Sequence, residues 1–212
     1  MLFSDRYQAG QLLAEKLAEI FGSSLDSSNA LVLAIPRGGV IIGRQISEKL
    51  KVPLDILVTK KIGAPGHPEL AIGAVGTTDE PVIDESLVQK TGATPEYLKQ
   101  MIQKIKQEVL LKEKNWRVSG EPMLLKGKKV IITDDGVATG ATLQAATEIV
   151  RQAEPEKIIL AFPVISKDAL AKLEKLADEV VFLEAPELFF AVGQFYQNFN
   201  QVTDQEVKEL LK

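Results

Sequence analysis

The sequence predicts an α/β fold: an open, mainly parallel sheet flanked by helices. Three observations carry that prediction. Short aliphatic and β-branched runs alternate with amphipathic segments along the chain. The runs are continuous rather than alternating, as expected for strands buried on both faces. Two of them break into glycine-bearing turns and pass directly into helical spacing. With 212 residues, 45% of them hydrophobic and 25% charged, the chain can build a substantial core and is expected to form one domain over 1–212.

Taken in order, Ser4 can cap a first helix with Leu12, Leu13, Leu17, Ile20 and Phe21 on its apolar face and Gly22 as its stop. Leu31 to Ile35 is a strand, broken by Pro36-Arg37-Gly38-Gly39, after which Val40, Ile42 and Ile46 resume helical spacing. Leu54 to Val58 is a second strand. It leads through Lys60 and Lys61 into a Gly/Pro-rich stretch, Gly63 to Leu70, expected to be an exposed loop that holds the chain's one histidine, His67. Ala71 to Val75 and Pro81 to Ile83 pair as short antiparallel strands, joined through Gly76 to Glu80. Thr94-Pro95 opens a long helix through Trp116, with Leu98, Met101, Ile102, Ile105 and Val109 on one face. Two further strands, Lys157 to Val164 and Val180 to Leu183, flank a short helix over Ser166 to Ala177. The segment from Ala185 to Val202 is aromatic and irregular, and Thr203-Asp204-Gln205-Glu206 has the capping-box pattern of a final helix.

Composition narrows the function classes. A net charge of −4 argues against a general polyanion binder, so no nucleic-acid partner is expected. Cysteine is absent, which removes disulfides and thiolate catalysis and suits a reducing cytosol. The first residues lack a leader pattern and no run approaches bilayer length, so the expected location is cytoplasmic, with no membrane partner.

The chemistry concentrates in Val130 to Thr142. An apolar run ends in two adjacent carboxylates, Asp134 and Asp135. A loop of Gly136, Val137, Ala138, Thr139, Gly140, Ala141 and Thr142 then enters a helix marked by Leu143, Ala146, Ile149 and Val150. Carboxylates at the end of a parallel strand reach the crevice where open α/β sheets bind ligands. Ionised, they only accept hydrogen bonds, so they suit a sugar diol, at roughly 1.5–3 kcal/mol per charged bond, or a metal. The loop offers N–H groups at a helix start and two threonine hydroxyls, a cradle for a phosphate monoester. It has neither the lysine of a P-loop nor the spacing of a dinucleotide fingerprint.

These residues resemble the PRPP-binding motif of type I phosphoribosyltransferases: apolar residues, two acids, then a loop bearing glycine and threonine. The resemblance extends to the architecture of most of the chain. It implies that Asp134 and Asp135 hold the ribose hydroxyls and that Gly136 to Thr142 hold the 5-phosphate. Arg37, Gly38 and Gly39 stand where this family places its pyrophosphate turn. Physically, the glycines let N–H groups approach an anion, and Arg37 can contact phosphate oxygens bidentately. A strained non-proline cis peptide is common in that turn, and Arg37-Gly38 is its expected place.

The stretch from about residue 60 to 76 corresponds to the family's flexible catalytic loop. Lys60 or Lys61 would stabilise charge on the leaving pyrophosphate and His67 would supply a proton, although a lone loop histidine is also commonly just solvated. The segment from about 185 to 202 would form, with the N-terminal helix, a hood over the acceptor. Phe195, Tyr196 and Phe199 could stack on a flat base or complete the core, and core is favoured for Phe189 and Phe190. The implied activity is transfer of a 5-phosphoribosyl group from PRPP to a nitrogen acceptor, such as a nucleobase. Mg²⁺ would be held mainly through PRPP oxygens, with no direct protein ligand. A PRPP- or nucleotide-sensing protein without turnover is the alternative. Family members are often dimers, and the 94–116 helix has apolar surface that a homodimer could use.

Overall fold

A computed structural model describes residues 2–76, 80–117 and 122–212. Helix α1 (Arg6–Phe21) precedes strand β1 (Ala30–Ala34), helix α2 (Gly38–Leu50) and strand β2 (Leu54–Ile56). An antiparallel excursion follows: β3 (Lys60–Ala64), β4 (His67–Val75) and β5 (Val82–Ile83). Helices α3 (Glu85–Thr91) and α4 (Pro95–Trp116) lead to β6 (Lys129–Thr133), α5 (Ala141–Gln152) and β7 (Lys157–Val164). The chain continues through α6 (Lys167–Leu173), β8 (Glu179–Glu184) and α7 (Asp204–Leu210).

Five strands form one parallel sheet in the order β2-β1-β6-β7-β8. The chain winds outward from β1 to β2, then returns to the other side of β1 and winds the opposite way. The reversal falls between β1 and β6, and in open sheets of this kind the crevice beyond the carboxyl ends of such strands is where ligands sit. Both faces of the sheet are covered. On β6, Ile131 packs with α1 and α2, whereas Val130 and Ile132 pack with α5 and α6. This two-sided burial explains the continuous apolar runs. The packing of α1 on α2 is close at Gly10, where a Cβ would come within 3.2 Å of the Ile42 Cα.

Most expected elements are present, with four differences. The first helix is capped by Asp5 rather than Ser4: the Asp5 carboxylate accepts from the Gln8 N–H at 2.9 Å, and the Ser4 N–H donates to the Gln8 side chain at 2.7 Å. The expected loop Gly63 to Leu70 is the tip of the β3–β4 hairpin. Its glycines and prolines serve a turn, with Gly66 at φ +72°, and a register shift at Gly63, where a Cβ would meet the Pro68 carbonyl at 2.6 Å. Helix α3 was not expected; it is one short run between an Asp84 cap and Gly92 at φ +66°. The β4–β5 pairing is as expected, and the part of its connection over 77–79 lies outside the described residues. Finally, Phe190 is 83% exposed rather than core, while Phe189 packs on Phe195 at 5.0 Å between centroids. Among the described residues no helix is long and apolar enough to cross a membrane.

Phe162, on β7, is fully buried among Leu160, Ile132 and the α5 and α6 side chains. Phe162→Ala is expected to lower the unfolding free energy by about 3–5 kcal/mol in urea titrations, through lost transfer energy and the cavity left behind.

Candidate active site

Strands β1 and β6 run side by side with Ala34 opposite Thr133, so the turns that follow them leave from one edge of the sheet. The two turns touch. A Cβ on Gly38 would lie 2.0 Å from the Asp135 Oδ2, and one on Gly39 would lie 2.9 Å from the Asp134 Cα. Only glycine permits that approach at either position. Helix α1 closes the arrangement from above. Buried Arg6 donates from Nε to the Asp135 Oδ2 at 2.8 Å and from Nη1 to the Asn200 carbonyl at 2.8 Å, with its guanidinium 3.8 Å from the Phe199 ring centroid.

The acids differ in their surroundings. Asp134 Oδ1 accepts from the Asp135 N–H at 2.8 Å, and the Gly39 N–H also donates to this carboxylate. Burial, and then the neighbouring Asp135 charge, push the Asp134 carboxyl well above the ordinary aspartate range, against these donors and Arg6. Burial raises Asp135 as well, opposed chiefly by Arg6. The Tyr196 hydroxyl donates to the Asp135 carbonyl at 2.6 Å, and burial pushes that phenol strongly up. This is a carboxylate pair short of positive charge, in a crevice that still reaches solvent.

The loop after the acids is fixed from below and open above. The Val137 side chain is buried, its N–H donates to the Val164 carbonyl at 2.9 Å, and its own carbonyl accepts from Ser166 N–H at 2.9 Å. The Ser166 hydroxyl donates to the Ala138 carbonyl at 2.5 Å. Gly136 packs on Val164 and Val192, and Gly140 turns the chain into α5 at φ +75°. Ala138, Thr139 and Thr142 are exposed, and no side chain caps α5 at Gly140. The Ala141 N–H reaches the Thr139 hydroxyl oxygen at 3.5 Å, and a helix start with so little capping favours an anion.

The other expected site residues are dispersed. Lys60 pairs with Glu108 of α4. Lys61, its neighbour on β3, points to the opposite face and lines a cleft with Ala141, Gln144 and Glu148 of α5. His67 stands at the hairpin tip opposite Ala64, roughly 13 Å of strand from Lys60. The hairpin thus does not gather these three. Phe195 and Tyr196 are core residues, 9% and 5% exposed, and Phe199 alone of the aromatic trio faces a cavity.

That cavity, of about 620 Å³, lies between the β1 turn and the C-terminal segment. Arg6, Arg37, Phe199 and Val202 line it together with Trp116, Lys112 and Asp204, residues for which sequence reasoning assigned no site role. Arg37 is turned towards the tail, its Nε 3.0 Å from the Asp204 Oδ1, and Trp116 Nε1 donates to the same oxygen at 2.9 Å. The capping-box pattern at Thr203–Glu206 marked Asp204 as a helix start, and nothing local showed that it would reach the β1 turn.

The phosphoribosyl transferase domain family model matches residues 4–199. The chain belongs to that family. A Mycobacterium tuberculosis protein provisionally named a phosphoribosyl transferase is 39% identical over 210 residues, covering 99% of this chain and 46% of its own length. The chain thus spans about half the length of these curated relatives. The crystal structure of TT1426 from Thermus thermophilus superposes with a TM-score of 0.88 at 38% identity, covering 100% of this chain and 98% of the other. A shorter match, 41% identical over 58 residues, relates 26% of this chain to 21% of the ribose-phosphate pyrophosphokinase of Pyrococcus furiosus. This phosphoribosyl transferase domain has one cis peptide among its described residues, at Pro36-Arg37 rather than the expected Arg37-Gly38.

A carboxyl whose folded pKa is raised binds protons in the folded state that the unfolded chain has released, so it lowers stability as pH rises through that window. Asp134→Asn keeps an oxygen for the Asp135 and Gly39 N–H groups and removes the charge. It is expected to raise the melting temperature of the ligand-free protein by a few degrees at pH 7. The gain should shrink as the pH is lowered towards 4, measured by calorimetric scans in a pH series.

Proposed function

We propose that the chain transfers a 5-phosphoribosyl group from PRPP to a nitrogen acceptor and releases pyrophosphate. The observation that carries this reading is the convergence of two anion-suited turns at the sheet's reversal point, with Asp134 and Asp135 between them. A ligand with a phosphate at one end, a diol in the middle and a diphosphate at the other end would use all three parts. The Pyrococcus relative's name, a ribose-phosphate pyrophosphokinase, is consistent with such a ligand.

In this reading the open start of α5 and the Thr139 and Thr142 hydroxyls hold the 5-phosphate. The two carboxylates accept from the 2′ and 3′ hydroxyls, which add donors to those that Arg6 and the backbone N–H groups already supply. The Gly38 N–H and Arg37 receive the diphosphate, while Gly39 allows the close approach of the turn and keeps its N–H on Asp134. As the C1–O bond breaks, charge grows on the pyrophosphate oxygens, and preorganised donors there lower the barrier. The acceptor nitrogen, most simply that of a nucleobase, enters from the Phe199 side.

Mg²⁺ fits the donor chemistry, because hard carboxylate oxygens stand beside the proposed sugar and diphosphate positions. Among the described residues no three His, Cys, Asp or Glu side chains cluster to hold a metal alone. When bound it would neutralise diphosphate charge, with most of its ligands from substrate and water. Residues 1–212 act together in this reading, with 185–202 and α1 as the hood. Phe3 joins the two, its N–H donating to the Phe195 carbonyl and its carbonyl accepting from Gln197, both at 2.8 Å.

Replacing both acids, Asp134→Asn with Asp135→Asn, is expected to weaken PRPP binding by about 10²–10⁴-fold in titration calorimetry with Mg²⁺, the loss of two charged hydrogen bonds. Unchanged affinity in a folded double variant would remove the site assignment. His67→Ala, at the hairpin tip, is expected to leave PRPP affinity unchanged. Release of pyrophosphate over a panel of nucleobases separates a transferase from a PRPP- or nucleotide-sensing protein.

A further inference from the structure

The C-terminal tail places a carboxylate at the very turn proposed to receive diphosphate. Arg37, the only side-chain cation within that turn, is engaged by the tail in the ligand-free protein. Its Nε lies 3.0 Å from Asp204 Oδ1, and its Nη1 donates to the Val202 carbonyl at 3.3 Å. The side chains of Arg37 and Asp204 are 41% and 56% exposed, and both line the cavity beside the β1 turn. Exposed pairs of this kind are weak. A diphosphate offers the guanidinium several charged oxygens in bidentate geometry and is the stronger partner.

We propose that Asp204 is a positioning residue that holds Arg37 towards the tail until a diphosphate-bearing ligand takes the guanidinium, so that filling the diphosphate end of the site releases Asp204. The inference rests on reading Arg37–Gly39 as the diphosphate turn. The exchange leaves the local fold standing, because the α7 cap is carried by Thr203 and Glu206, each accepting from the other's backbone N–H. The third partner supplies a reporter. Trp116, the chain's single tryptophan, donates to the same Asp204 oxygen at 2.9 Å and is 8% exposed. Release of Asp204 from Arg37 changes the charge environment of that indole.

The test uses the full chain with Mg²⁺ and inorganic pyrophosphate, following heat by calorimetry and Trp116 emission in parallel. Wild type is expected to bind saturably with a shift in emission. Asp204→Asn, which keeps an oxygen for the indole N–H and removes the charge, is expected to bind pyrophosphate about two- to fivefold more tightly. Arg37→Ala should bind more weakly and lose the emission shift, with melting curves confirming that both variants fold. A merely structural Asp204 would not tighten binding when neutralised. Pyrophosphate affinity unchanged or reduced in Asp204→Asn, while wild type binds, overturns the inference and leaves the diphosphate turn in place. No binding of pyrophosphate by wild type overturns both.

Discussion

The contact between Gly38 and the Asp135 carboxylate is the constraint on which the rest of the site depends. Two turns from neighbouring strands can share one crevice only if their backbones approach within side-chain distance, and a single added Cβ at either glycine would push them apart. The parallel register of β1 with β6 brings the turns level. Arg6, reaching down from α1, then sets the orientation of Asp135 and offsets part of the charge that the crevice concentrates. Sheet, turns and first helix therefore meet at one carboxylate.

The electrostatics of the ligand-free site follow from that crowding. Two acids held at a strand end, with one buried guanidinium between them and the tail, are under-compensated, and burial raises both. A group that is unfavourable when empty gains most from a ligand that donates hydrogen bonds to it. The loop over 136–142 differs: its lower side is tied by hydrogen bonds to Val164 of β7 and to Ser166 at the start of α6, and Thr139 and Thr142 on it are exposed.

Much of this was legible in the sequence, because the strands and the two phosphate-suited turns are written in contiguous residues. Val130–Thr142 declares strand, acids, loop and helix in order, and Thr94-Pro95 and Thr203–Glu206 declare their helix starts. Local reading failed where long-range pairing decided the outcome. Gly63 to Leu70 has loop composition, yet pairing with β4 uses its glycines for a turn and a register shift. Arg6, Trp116 and Asp204 join the crevice from positions far from Arg37 and Gly38 along the chain, and no spacing rule announces such meetings. Phe195 and Tyr196 had composition suited to stacking, but β-bridging of Tyr196 to Phe3 draws both into the core.

The close seat of α1 on α2 at Gly10 has a consequence for how this protein can vary. Arg6 is one turn from that seat on the same helix, so its reach to Asp135 depends on where the two helices cross as well as on its contacts with Asn200 and Phe199. A bulkier residue at Gly10 would tilt the lever that carries the guanidinium. Positions that never meet a ligand therefore retune the carboxylate pair, and the site diverges from the helix crossing as well as from its lining residues.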